Sequence, residues 1–236
     1  MPYQVNLAAA EQQRILTEYG RREREIRSDL YARWQPGEMF MLSGRKRIAA
    51  MMLHQAGVFP KPGNQCLEVG FGSLGWLGDL ISWGVPEKDL HGIELDPSRA
   101  SKAQEILPLA DLRLGDAADL PWDSNTFHLV IASTVFTSIL NRDVQQMVAD
   151  EITRVLAPGG ALLWYDFAVN NPNNSHVRRV SKTELRKLFP HLQGKIQSVT
   201  LAPFLARLVA PRSWALASCL EAIPLFRTHL LCVLVK

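Results

Sequence analysis

The spacing of apolar positions changes near residue 60. Before it, apolar side chains recur at helical intervals, at Ile15, Tyr19, Ile26 and Leu30 and again at Ile48, Met51, Met52 and Ala56, with a break at Gln35-Pro36-Gly37. This predicts a helical cap over residues 1–60, with a second, sheet-containing unit over residues 61–236. From Gln65 onward, short apolar runs at Cys66–Val69, Leu90–Leu95, Leu112–Leu114, Leu129–Ala132 and Ala161–Tyr165 read as strands. Between them Leu74–Trp83, Pro97–Leu107 and Val144–Leu156 read as helices, the last ended by Pro158-Gly159-Gly160 as a C-terminus and turn. Strands that alternate with helices need crossover connections, and so a parallel sheet. After Asp166 the pattern changes to a polar loop over Ala168–Asn174, a helix opened by a Ser181/Glu184 capping box, and a strand at Ile196–Leu201. A helical excursion over Phe204–Ala222 and an apolar strand at Thr228–Val235 close the chain. The expectation is an α/β, doubly wound sheet of seven strands, mostly parallel, with an antiparallel C-terminal strand.

Length and composition agree with this. A chain of 236 residues suits one α/β core, and 47% hydrophobic with 21% charged residues is ordinary for a globular protein. The net charge of +3 does not by itself imply nucleic acid. Basic residues do concentrate at Arg21, Arg22, Arg24, Arg27, Arg33, Arg45, Lys46 and Arg47. They read either as a solvated helix face countered by Glu18, Glu23 and Glu25, or as an electropositive lid over an anionic group. Cys66, Cys219 and Cys232 have no metal-ligand spacing, and no His/Cys/Asp cluster predicts a metal. The N-terminus lacks the order of a signal peptide and no run of about 18 apolar residues occurs, so a cytoplasmic protein without a membrane span is expected.

The chemistry concentrates after the first predicted strand. Gly70, Gly72 and Gly75 form G-x-G-x-x-G, a turn that lets a ligand approach backbone N–H groups at the positive end of a helix. The spacing alone fits a dinucleotide as well as other nucleoside cofactors. Glu68, just before the first glycine, would repel a pyrophosphate and favours a cofactor with a cationic sulfonium and ammonium. Glu94, at the end of the second strand, can accept from two ribose hydroxyls, while Asp96 precedes Pro97 as a helix N-cap. Asp116 can accept from an adenine amino group, Ala117 can offer its backbone N–H to the ring, and Leu95 and Leu120 can sandwich the base.

The segments Cys66–Gly75, His91–Pro97, Leu114–Ile131 and Ile152–Trp164, the last containing Arg154-Val155-Leu156-Ala157-Pro158-Gly159-Gly160, resemble in order the motifs of class I S-adenosylmethionine-dependent methyltransferases. Trp164–Phe167, Asn170–Pro172 and Pro224–His229 extend the resemblance toward a bacterial, methyltransferase type 11-like branch acting on small molecules or glycans. The resemblance implies a Rossmann-like fold, S-adenosylmethionine as cofactor and S-adenosylhomocysteine as product. It implies that Glu68, Gly70, Phe71, Gly72, Gly75, Glu94, Leu95, Asp116, Ala117, Leu120 and Ser133 bind that cofactor. Leu74 stands where a third glycine is usual, and His128 where an acid is frequent.

A sulfonium already carries an electrophilic methyl group, so the protein has mainly to align an acceptor and exclude water. A base is needed only where the acceptor must lose a proton early, and Asp166 and His176 are the candidates. Tyr31, Trp34, Phe136, Tyr165 and Asn171 are the residues expected to contact a small-molecule acceptor. The expected reaction is methyl transfer to a hydroxyl or amine of a natural-product or glycan intermediate. Two other readings stand beside it: a non-catalytic S-adenosylmethionine-binding scaffold or sensor, and an NAD-dependent oxidoreductase. No nucleic-acid partner is expected, and Phe204–Ala222 reads first as core packing, with a lid, a homodimer face or a lipid contact as the alternatives.

Overall fold

The computed structural model describes residues 2–25, 31–170 and 174–236. Ile26, Arg27, Leu30, Asn171 and Pro172, used above, lie outside the described residues. Seven strands form one sheet: β1 (Cys66–Val69), β2 (Leu90–Glu94), β3 (Asp111–Leu114), β4 (Phe127–Ser133), β5 (Leu156–Phe167), β6 (Gln193–Leu201) and β7 (Arg227–Val235). Their order is β3-β2-β1-β4-β5-β7-β6, and β7 runs antiparallel to both of its neighbours. The strand count, the parallel body and the antiparallel closing strand are those read from the sequence.

The helices are α1 (Pro2–Glu25), α2 (Pro36–Gln55), α3 (Leu77–Ser82), α4 (Pro97–Ile106), α5 (Arg142–Val155), α6 (Lys182–Leu188), α7 (Pro203–Val209) and α8 (Trp214–Ala222). Both faces of the sheet are covered. Leu67, Val130, Leu162, Trp164 and Cys232 pack on one face against α5 and α6, while Cys66, Leu129, Ile131, Leu163 and Leu231 pack on the other against α2, α3 and α4. Neighbouring residues of a strand therefore point to opposite layers and are both buried, which is why the strands read as continuous apolar runs rather than alternating ones. A third cluster joins Phe40 and Met41 of α2 to Leu201, Ala206, Ala210 and Ala217, so the 204–222 excursion packs as the helix pair α7 and α8.

Two local readings change. The Pro158-Gly159-Gly160 segment is no helix-terminating turn: α5 ends at Val155, and β5 starts at once with a register shift against β4 between Phe127 and Leu129. Gly160 is required there because a Cβ would lie 2.8 Å from the Phe127 carbonyl oxygen. The predicted helix at Leu74–Trp83 is shorter, since residues 70–76 form a loop before α3. Ser181 and Glu184 do form the capping box of α6. Among the described residues, no helix is long and apolar enough to cross a membrane, and no group of three or more His, Cys, Asp and Glu is placed to hold a metal.

Candidate active site

The sheet order reverses between β1 and β4, and the crevice at the carboxyl ends of these strands is where open α/β sheets bind ligands. A cavity of about 630 Å³ sits there. Its floor is the loop after β1, where Gly70, Gly72 and Gly75 take φ of +67°, +59° and +47°. A Cβ on Gly75 would lie 2.2 Å from Glu68 Oε1, which places the carboxylate directly beneath the glycine. Glu68 Oε2 accepts from the N–H groups of Trp76 (2.7 Å) and Leu77 (3.0 Å), so this acid caps the start of α3. Burial pushes its pKa well up, against the pull of those N–H groups and of Arg45. The sequence argument used Glu68 as a charge facing the ligand; its oxygens are committed chiefly to the helix end beneath the loop.

Glu94 is held as firmly. Its Oε2 accepts from Gly72 N–H at 2.8 Å, and Oε1 from the N–H groups of Leu95 (2.9 Å) and Asp96 (3.0 Å). Asp96 caps α4 through Arg99 N–H at 3.0 Å, as its position before Pro97 predicted. Asp116 Oδ1 accepts from Ala118 N–H at 3.0 Å, and Oδ2 from the Gln12 side-chain amide of α1. Glu11, one residue earlier, accepts from the Leu140 and Asn141 N–H groups and pairs with Arg14 at 2.8 Å, which fastens α1 to the start of α5. Burial raises the Glu11 pKa, but Arg14 and the Leu140 N–H outweigh it and hold it below the usual range.

A second cavity of about 370 Å³ adjoins the first, and Tyr19, Tyr31, Leu42, Arg45, Arg99, Thr134 and Ser138 line both. Thr134 stands at this junction with φ +58°, a left-handed conformation costly for a β-branched residue, its N–H donating to the Tyr165 carbonyl at 2.8 Å. Arg45 rests 4.2 Å over the Trp76 ring and 5.2 Å over Tyr165, and burial lowers its pKa from the ordinary guanidinium value. Tyr165 shares a 3.0 Å hydrogen bond with Thr200, and burial pushes its phenol up to about 12 although Arg45 opposes the shift.

The structure gathers ten of the eleven residues expected at the cofactor around the first cavity: Glu68, Gly70, Phe71, Gly72, Gly75, Glu94, Leu95, Asp116, Ala117 and Ser133. Phe71 does so through its backbone, since its ring is buried against Gly92. Leu120 is not among them: it is 3% exposed within the core on the α5 side of the sheet. Of the acceptor residues, Tyr31 and Tyr165 line the second cavity. Phe136 is fully buried in the core, and Trp34 lies on a shallow outer surface beside Trp214. Asn171 lies outside the described residues. Neither expected base lines either of these two cavities. Asp166 is wholly buried; its carboxylate accepts from the N–H (3.0 Å) and hydroxyl of Thr137 and from Phe167 N–H (3.0 Å), and burial raises its pKa to about 6 against those bonds. His176 lies 3.6 Å from the buried Glu18 of α1, in a small recess with Arg14 and Arg22. The sequence reading missed Gln12, Arg33 and Arg45 of the first cavity wall, although Arg33 and Arg45 belong to the basic cluster it noticed.

Residues 66–160 match the methyltransferase domain family. That match spans 95 of the 236 residues. The chain is 28% identical over 176 residues to norajmaline N-methyltransferase of Rauvolfia serpentina, an alignment covering 67% of this chain and 58% of that protein. This chain matches about half the length of its curated relatives. The fold is shared with a candidate sarcosine dimethylglycine methyltransferase from Galdieria sulphuraria, at TM-score 0.62 and 16% identity over 81% of this chain and 84% of that one. It is shared too with a geranyl diphosphate methyltransferase in complex with GPP and sinefungin, at TM-score 0.60 and 15% identity over 80% and 78% of the two chains. Methyltransferases of this family take S-adenosylmethionine as cofactor, and the first cavity lies at the strand ends of the matched segment. Gly72 fits the role structurally, since a Cβ there would meet nothing within 4 Å and its backbone lies open on the cavity side.

Proposed function

We propose that this domain transfers the methyl group of S-adenosylmethionine to a hydroxyl or amine of a small organic acceptor, of the natural-product or glycan-intermediate kind, held in the second cavity. The observation that carries the reading is the wall shared by the two cavities, through which a molecule in each would meet. The small-molecule acceptor named for the Rauvolfia relative points the same way.

The cofactor supplies an electrophilic methyl group on sulfur, so alignment and exclusion of water are what the chain must add. Glu94, pinned by three N–H groups, presents its remaining lone pairs to ribose hydroxyls. Asp116 and the Ala117 N–H face the adenine end, with Gln12 closing over them. Arg33 and Arg45 lie on the wall near Gly75 and fit the carboxylate of the methionine end. Tyr31 and Tyr19 line both cavities at their junction.

Acid–base help is sparse. Glu38 is tied to Arg207 at 2.7 Å, and His229 is held neutral, since burial lowers its pKa to about 3 and Arg45 adds to the fall. The acceptor's proton therefore passes to water, which favours nucleophiles that need no early deprotonation. The same scarcity of bases favours, as the second reading, a domain that binds the cofactor without turning it over. Calorimetry with S-adenosylhomocysteine and NAD, followed by a labelled-methyl screen of hydroxyl and amine acceptors, separates these. Micromolar S-adenosylhomocysteine affinity with transfer supports the enzyme; tight binding with no transfer supports the scaffold; NAD binding alone overturns both.

A further inference from the structure

The walls of the two cavities differ in charge. The cofactor cavity carries Glu11, Glu68, Glu94 and Asp116, whereas among the described lining residues of the second cavity Glu38 is the single carboxylate and six arginines surround it: Arg22, Arg45, Arg99, Arg178, Arg179 and Arg207. Arg207 takes up Glu38, at 2.9 and 2.7 Å. Among the described residues the others have no carboxylate held at hydrogen-bond distance. Arg99 lies 4.0 Å over the Tyr19 ring with its nearest acid, Glu23, at 3.9 Å. Arg45 rests on aromatic faces, and Arg178 reaches the Gln145 amide oxygen at 3.3 Å. Both Arg45 and Arg178 bury an Nε–H that has no hydrogen-bond partner. A buried guanidinium N–H left without an acceptor is costly unless a ligand supplies one. Arg178, together with Arg22 and Arg179 in the same wall, forms a fork-like set of donors matched to oxyanion geometry.

We propose that the acceptor is an anion, carrying a phosphate or carboxylate group that Arg178 and Arg22, with Arg179 beside them, hold in the second cavity. This rests on the reading that the second cavity receives the acceptor. A cationic amine would face both the arginines and the sulfonium of the cofactor, so the same charge set selects against it. The anion anchors the far end of the acceptor and leaves its nucleophile toward the junction at Thr134.

The test uses the full chain saturated with S-adenosylhomocysteine and titrated with inorganic phosphate, pyrophosphate and benzoate. Saturable binding of at least one is expected, with affinity falling as salt rises. Arg178→Gln should weaken it about tenfold or more, as loss of a charge-assisted pair does, and the surface substitution Arg22→Gln severalfold, while both variants keep S-adenosylhomocysteine affinity within about twofold of the parent. Preference for phosphate or benzoate assigns the anion. No saturable binding of any of the three, or binding unchanged in both variants, overturns the inference and leaves the cofactor reading standing. Failure of the parent chain to bind S-adenosylhomocysteine overturns the proposed function itself.

Discussion

Gly75→Ala is the sharpest test of how the cofactor loop is built. The new methyl would stand 2.2 Å from Glu68 Oε1 and 2.5 Å from its carboxyl carbon, well inside contact distance, and the residue would keep φ +47°. The left-handed backbone costs a non-glycine residue about 1–2 kcal/mol. Relieving the clash means moving a buried carboxylate off the Trp76 and Leu77 N–H groups, bonds of the charge-assisted kind worth about 1.5–3 kcal/mol each. A loss of about 4 kcal/mol is the lower expectation, a large share of the ~5–15 kcal/mol that holds an ordinary domain together. Urea unfolding followed by tryptophan fluorescence measures it, and the Glu68→Ala background supplies the control. With the carboxylate gone, Gly75→Ala should cost only the backbone part, about 1–2 kcal/mol, giving a coupling of about 2 kcal/mol or more. The reasoning fails if Gly75→Ala alone costs under about 1 kcal/mol, or costs the same whether or not Glu68 is present.

Other outcomes follow from the same contacts. Glu94→Ala should weaken S-adenosylhomocysteine binding at least about tenfold, or 1.4 kcal/mol, by calorimetry; unchanged affinity would remove Glu94 from the ribose. His229 and Asp166 should push stability in opposite directions with pH. The folded His229 pKa of about 3 lies below the ordinary imidazole value of 6.5, so its contribution is complete above 6.5 and is lost as pH falls toward 3. The folded Asp166 pKa of about 6 lies above the ordinary carboxyl value of 3.8, so its contribution is complete below 3.8 and is lost as pH rises toward 6. Between pH 4 and 6, His229→Phe should therefore turn the stability profile downward with pH and Asp166→Asn should turn it upward; parallel profiles for the two variants would contradict both environments. Glu11→Gln should loosen α1 from the start of α5, seen as faster amide exchange in α1 and weaker S-adenosylhomocysteine binding, and unaltered protection would show that Glu11 does not anchor the helix.

Local rules made the sheet legible. Runs such as Cys66–Val69 and Leu129–Ala132 are apolar because both faces are covered, and Asp96 and Ser181 advertise their helices by capping chemistry that acts within four residues. The residues that line the first cavity were legible for a related reason: they sit at strand ends in chain order, and the fold gathers strand ends. What stayed hidden depends on long-range packing. Leu120 and Phe136 lie in segments beside the site, yet their side chains turn into the core, which sequence position alone does not reveal. Asp166 sits at a strand end as a base would, but the Thr137 backbone and hydroxyl lie across the sheet to receive it. Leu74, the departure from the usual glycine, lines the cofactor cavity and packs with the α2–α4 layer, while the neighbouring Gly75 supplies the positive φ and the closeness to Glu68. Gln12 reaches Asp116 across 104 positions of sequence, a contact no local pattern could announce.

The two cavities also differ in when their polar groups are satisfied, and this bears on the order of events. Glu68, Glu94 and Asp116 are already held by backbone N–H groups, so the cofactor side is organised before any ligand arrives and little reorganisation accompanies its binding. The second cavity is less complete: Arg45 and Arg178 each keep a buried Nε–H without an acceptor among the described residues. Arg45 lines both cavities, so whatever engages it from the cofactor side changes the field felt by the acceptor. A carboxylate of the methionine end placed against Arg45 would lower the positive charge available to the acceptor, while the sulfonium would restore it nearby. On the proposed reading, an acceptor anion should bind more tightly beside the sulfonium than beside the uncharged sulfur of S-adenosylhomocysteine, and equal affinity with the two would contradict that placement.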